Sequence, residues 1–192
     1  KNLNPGNFIF VDNKKSYFIE KYFFYQPWLI KNRPYKELKK QLKFEIDKLL
    51  KKAVIKANGR TIAIPLSAGL DSRLIASGLK HLNYKKVKCF SYGLKNNFES
   101  RASKIIAKKL NYNWEFAEIN QCKAKNFYLD SKYKNYFTST ADGCASASLP
   151  DLYALNVLLK KEYLNKEDMI VNGNSGDFIS GGHIPLLPKT VE

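Results

Sequence analysis

The stretch Thr61-Ile62-Ala63-Ile64-Pro65-Leu66, followed at once by Ser67-Ala68-Gly69-Leu70-Asp71-Ser72, constrains this chain more than any other. A short apolar strand runs into a loop of small residues, and an amphipathic helix pattern takes over from about Asp71 to Leu82. Such a junction leaves unpaired backbone N–H groups at the helix start, and together with the positive end of the helix dipole they suit an anion. Gly69 lets the backbone approach a ligand closely, while Ser67 and Ser72 add hydroxyl donors. Asp71 would repel bound phosphates unless it holds a Mg²⁺ ion that bridges to them. The loop therefore predicts a metal-nucleotide or metal-pyrophosphate site. The same residues also suit a plain helix N-cap, worth about 1 kcal/mol, and the loop alone does not decide. It is not a Walker A loop, because no Gly-Lys-Ser/Thr follows the glycine, and a dinucleotide fingerprint is absent.

The surrounding chain predicts an α/β fold. Asn7 to Val11 and Ser16 to Tyr25, parted by Asp12-Asn13-Lys14-Lys15, read as a β-hairpin. Pro27 and Pro34 bracket a connector, and a helix follows from Tyr35 to Ala57. That helix carries Leu38, Leu42, Ile46, Leu49, Leu50 and Val54 on one face, with Gly59 as its stop. Strands and helices then alternate. Lys86 to Ser91 is a second strand, Phe98 to Leu110 a helix and Asn113 to Ile119 a third strand. Helical patterns at Gln121 to Tyr136 and Asp151 to Tyr163 precede a fourth strand, Asp168 to Asn172. This rhythm implies a doubly wound parallel sheet covered on both faces, with ligands beyond the C-terminal strand ends. The expected division is residues 1–30 as hairpin and linker and 31–192 as the main domain.

Charge bears on the choice of ligand. The formal net charge is +16, but lysine supplies nearly all of it, with arginine only at Arg33, Arg60, Arg73 and Arg101. The lysines are scattered over predicted helix faces, which favours a solvated surface over a nucleic-acid interface. Cys89, Cys122 and Cys144 form no C-x-x-C pair and no metal spacing with His81 or His183, so a reducing compartment is expected. Cys89 falls in an apolar strand and reads as a core residue. No apolar run approaches the roughly 18 residues a bilayer requires, and the expected location is cytoplasmic. A single methionine, Met169, and a start at Lys1 suggest a piece of a longer protein.

A second ligand-type loop, Asn172-Gly173-Asn174-Ser175-Gly176-Asp177-Phe178-Ile179-Ser180-Gly181-Gly182, follows the fourth strand. Its glycines and asparagines also suit simple turns. Both loops lie at C-terminal strand ends, so Asp71 and Asp177 are placed to meet, and two converging carboxylates call for a cation between them.

At this point the chain resembles a known family. Ser67 to Ser72 looks like the S-G-G-x-D-S pyrophosphate loop of the N-type ATP pyrophosphatases, the PP-loop superfamily, with Ala68 replacing the second glycine. Cys89-Phe90-Ser91-Tyr92-Gly93, then Glu99, Ala102 and Ala107-Lys108-Lys109-Leu110, resemble more specifically the synthetase domain of asparagine synthetases. Asn172 to Gly182 is similar to that family's S-G-E-G-x-D-E-x-x-G-G segment. Asn4-Pro5-Gly6 and the hairpin resemble the link from a glutaminase domain. The resemblance implies a sheet of the adenine-nucleotide α-hydrolase type and an ATP-dependent amidotransferase or ligase that adenylates a small carboxylate, releases pyrophosphate and admits ammonia or an amine. By position, Ser67, Ala68, Gly69, Leu70, Asp71 and Ser72 would hold ATP's pyrophosphate end. Leu66, Tyr92, Asn172 and Gly173 would line the adenosine, and Asp71 and Asp177 would bind Mg²⁺. A glutaminase domain in the parent chain is a further implied partner.

The departures concern the acceptor. Asn174 and Phe178 replace family acids, His183 replaces a tyrosine, and the chain stops at Glu192, before a helical part carrying a lysine that supports the reaction. No N-terminal cysteine nucleophile is present, so glutamine hydrolysis is not expected here. Arg73 suits either phosphate or a surface salt bridge. The alternatives are a tRNA-modifying PP-loop enzyme and a catalytically silent nucleotide-binding module.

Overall fold

The computed structural model describes residues 3, 4, 6–24, 33–130, 133, 136 and 148–174. Two strands, β1 (Asn7–Val11) and β2 (Tyr17–Lys21), pair antiparallel with Ile9 opposite Ile19 and Phe10 opposite Phe18. They form a sheet of their own, whose apolar side chains are exposed on both faces. The second strand is shorter than the aromatic run suggested, since Lys21 ends it and Tyr22 and Phe23 instead bond their N–H groups to the Gly6 carbonyl.

Helix α1 (Tyr35–Ala57) has the bounds its sequence predicts. Its stop is made one residue earlier than expected: Asn58 takes the left-handed cap conformation (φ 47°), and Gly59 follows at φ +75°. The expected apolar face is only partly covered. Leu50 and Ala57 are buried, whereas Leu38, Leu42 and Leu49 are exposed. Periodicity reports which face is apolar, not how far along its length another element lies against it.

The main sheet holds β3 (Ile62–Pro65), β4 (Val87–Gly93), β5 (Asn113–Glu118) and β6 (Met169–Ile170), all parallel, in the order β5-β4-β3-β6. Helices α2 (Leu70–His81), α3 (Phe98–Leu110), α4 (Gln121–Leu129) and α5 (Leu149–Lys160) connect or cover them. Alternation along the strands divides the core in two. Ile62, Ile64, Leu66, Val87 and Cys89 pack with Ala57, Ala76, Leu79 and Ala107 on the α1, α2 and α3 side. Ala63, Phe90 and Ala117 pack with Ala154 and Leu158 of α5 on the other. The fold is thus the doubly wound α/β sheet the strand rhythm implies, and Cys89 is a core residue as expected.

The strand order fixes where a ligand can sit. The chain runs outward from β3 through β4 to β5, then returns to place β6 on the other side of β3. The reversal opens between β3 and β6, and in open parallel sheets that switch point is where ligands bind. The loops leaving it are those that begin at Leu66 and Val171.

Candidate functional site

Beyond Pro65 the backbone leaves the sheet after one last ladder bond, from the Leu66 N–H to the Phe90 carbonyl at 2.7 Å. The Leu66 side chain is buried in the core, so only its main chain faces the loop. Ser67 and Ser72 then close the loop on itself. Ser72 Oγ accepts the Ser67 N–H at 3.1 Å, the two hydroxyls lie 3.0 Å apart, and Ser67 Oγ accepts the Gly69 N–H at 3.0 Å. Arg73 donates from Nε to the Gly69 carbonyl at 3.1 Å, so this guanidinium braces the loop.

Gly69 is the N-cap residue of α2, with φ −68° and ψ 158°, and no side chain caps the helix. Asn97 and Asn120 cap α3 and α4 by accepting the Ser100 and Lys123 N–H groups at 2.7 and 3.1 Å, whereas α1 and α5, like α2, start without a side-chain cap. Asp71 is therefore not a capping residue. It lies in the first helical turn, half-buried, and its carboxylate has no hydrogen bond or ion pair among the described residues. An uncapped helix start beside an unengaged carboxylate fits an anion that arrives with its own cation.

The second loop meets the first. A Cβ placed on Gly173 would lie 2.8 Å from the Ser72 N, 2.8 Å from the Asp71 Cβ and 2.9 Å from the Asp71 carbonyl carbon. Only a residue without a side chain lets the two backbones approach this closely. The approach is held by the ladder bond from the Val171 N–H to the Ala63 carbonyl at 3.0 Å, which continues β6 alongside β3. Asn172 and Asn174 are exposed beside the contact, with the Asn174 N–H directed at Asn172 Oδ1 at 3.4 Å. Residues Ser175 to Glu192, and with them Asp177, Phe178 and His183, lie outside the described residues.

Tyr92 is the penultimate residue of β4 and lies on the α5 side of the sheet. Its hydroxyl donates to Asp151 Oδ1 in the first turn of α5, and burial with the nearby carboxylate pushes its pKa up. The phenol is thus committed to Asp151 and leaves the Tyr92 backbone at the strand end. The sequence did not reveal this pairing, and it marked Glu99 only as part of a family-like helix pattern, not as the acceptor, through Oε2, of the Ala68 N–H at 2.5 Å. Both partners are acids in the first turn of a helix packed on the sheet, and that placement was the available signal.

A parallel α/β domain with a serine-glycine-aspartate loop at its switch point is the class these features define. The family model for asparagine synthase matches residues 45–187, well over half of the chain, and the chain belongs to that family. The match begins within α1 and leaves the hairpin outside. Among solved structures the chain is similar to the NH3-dependent NAD synthetase from Campylobacter jejuni subsp. jejuni NCTC 11168, determined in complex with the nitrate ion. The two share 16% identity with a TM-score of 0.46, over 74% of this chain and 59% of that one. The chain thus spans about three fifths of that protein's length. No curated protein matches it. Among the described residues, no helix is long and apolar enough to cross a membrane.

Proposed function

We propose that this chain is the ATP-dependent carbon–nitrogen ligase part of a larger protein, its main domain beginning near residue 31, and that it activates a small carboxylate as an acyl adenylate. The observation that carries the reading is the contact of Gly173 with Asp71 and Ser72, which brings the two ligand-type loops together at the switch point. The family is one of ATP-utilising domains of the ligase type, and the uncapped start of α2 supports a phosphate ligand there.

The substrate carboxylate attacks the α-phosphorus of ATP, the bond to the β-phosphate oxygen breaks, and pyrophosphate leaves. Ammonia or an amine then attacks the acyl carbon and displaces AMP. Ser67, Ala68, Gly69, Leu70, Asp71 and Ser72 surround the departing pyrophosphate, and the serine hydroxyls with the first-turn N–H groups of α2 are its donors. Leu66, Tyr92, Asn172 and Gly173 lie along the adenosine, the first two through main chain. Asp71, with Asp177, holds Mg²⁺, which when bound offsets charge on the leaving group. Asn174, where the family pattern carries an acid, makes a carboxylate other than aspartate the better candidate.

ATP–pyrophosphate exchange with the whole protein and a panel of carboxylic acids tests this. Exchange is expected with one class of acid and lost in Asp71→Asn. The same variant should melt within about 1 kcal/mol of the parent, because among the described residues the Asp71 carboxylate makes no hydrogen bond or ion pair and the change alters mainly its attraction to the helix dipole. Exchange that persists in Asp71→Asn removes the metal assignment, and ATP binding without exchange under any acid removes the enzyme.

A further inference from the structure

The loop satisfies its own N–H groups on either side of Ala68 and leaves that one to be held from elsewhere. The Ser67 and Gly69 N–H groups bond to Ser72 Oγ and Ser67 Oγ within the loop, whereas the Ala68 N–H donates to Glu99, 31 positions away in sequence. Glu99 stands in the first turn of α3, where the positive end of the helix favours its charge. That turn is itself fixed. Asn97 caps it through the Ser100 N–H at 2.7 Å and donates its own side-chain amide to the Leu94 carbonyl at 2.7 Å. A charge-assisted bond of 2.5 Å therefore ties the loop after β3 to the helix after β4, its neighbour in the sheet.

Resting on the reading of this loop as the phosphate site of ATP, we infer that Glu99 is a positioning residue for it. The carboxylate anchors Ala68, so the Ala68 N–H is a tether and not a phosphate donor. The loop's remaining donors, the first-turn N–H groups of α2 that no side chain caps, are thereby held facing the ligand. The opposite role, a carboxylate occupying the place of a phosphate and displaced by it, has the reverse consequence for binding.

Calorimetry on the whole protein distinguishes them, with magnesium pyrophosphate, magnesium ATP and AMP titrated into the parent, Glu99→Gln and Glu99→Ala. Glu99→Ala should weaken pyrophosphate and ATP about tenfold, in line with loss of one bond to a charged group, while AMP changes by less than about twofold. Glu99→Gln keeps an acceptor oxygen and should stay within about threefold of the parent. In the unliganded protein, Glu99→Ala should also speed hydrogen exchange at the Ala68 amide. Equal or tighter pyrophosphate binding by Glu99→Ala overturns the inference, as does an equal loss of AMP, which marks general damage. A parent that binds none of the three ligands overturns the ATP reading itself.

Discussion

A Cβ added at Gly173 meets backbone and a Cβ, not the far end of a flexible side chain, so the clash has no cheap relief. Gly173→Ala should push the loop after β6 away from the start of α2. The expected readout is a loss of magnesium ATP affinity of at least about tenfold with a stability loss of about 1–3 kcal/mol, the range for overpacking a tight contact. Gly69 makes the control. Its backbone is in an ordinary extended conformation, and an added Cβ would touch only Ser67 Oγ at 3.1 Å. Gly69→Ala should therefore cost less than about 1 kcal/mol in urea denaturation. If both alanines bind ATP as the parent does, the two loops do not share a ligand.

At the scale of elements, α1 separates what the chain's pattern can say from what it cannot. Its ends are legible because Pro34 and the Asn58-Gly59 turn act locally. Its burial is not, since covering depends on neighbours: Leu50 lies against Gly78 of α2, while Leu42 projects to solvent. Leu50→Ala should cost about 2–4 kcal/mol in urea denaturation, and Leu42→Ala within about 0.5 kcal/mol of nothing. Matching losses at both would mean that α1 is covered along its whole length. The site divides in the same way. Ser67 to Ser72 could be recognised because strand, small-residue loop and helix are consecutive. The bonds that hold its surroundings, Glu99 to the Ala68 N–H and Tyr92 to Asp151, span 31 and 59 positions. No local pattern contains them. The Gly173 contact was foreseeable only as a shared strand-end location; that it demands glycine is a matter of tenths of an ångström.

For the molecule as a whole, strand rhythm foretells a parallel sheet but not its order, because a right-handed crossover can place the next strand on either side. The order β5-β4-β3-β6 puts β3 and β4 in the middle, and Cys89 of β4 is fully buried between flanking strands and the α2 and α3 side of the core. Burial raises its thiol pKa from 9.0 to about 12. Burial likewise raises Tyr112 to about 12, and pushes Tyr163, whose hydroxyl donates to the Cys89 carbonyl, upward too. Each of these groups is held neutral by the fold and ionises more readily in the unfolded chain. A raised folded pKa contributes stability that is fully present below the unfolded value and lost as pH rises toward the folded one. For Cys89 the loss begins near pH 9 and continues to about pH 12, at about 1.4 kcal/mol per pH unit. Urea midpoints measured from pH 7.5 to 11 should therefore fall steeply above pH 9. Cys89→Ala should start lower, because it leaves a small cavity, yet fall less steeply through the same window, since it removes both the buried thiol and the charge that helps to raise Tyr112 and Tyr163. Site-resolved alkylation offers an independent check: exposed Cys122 should react in the folded protein, and Cys89 only on unfolding. Parallel pH curves for parent and Cys89→Ala would mean that β4 admits water, and that the sheet is open where its order makes it central.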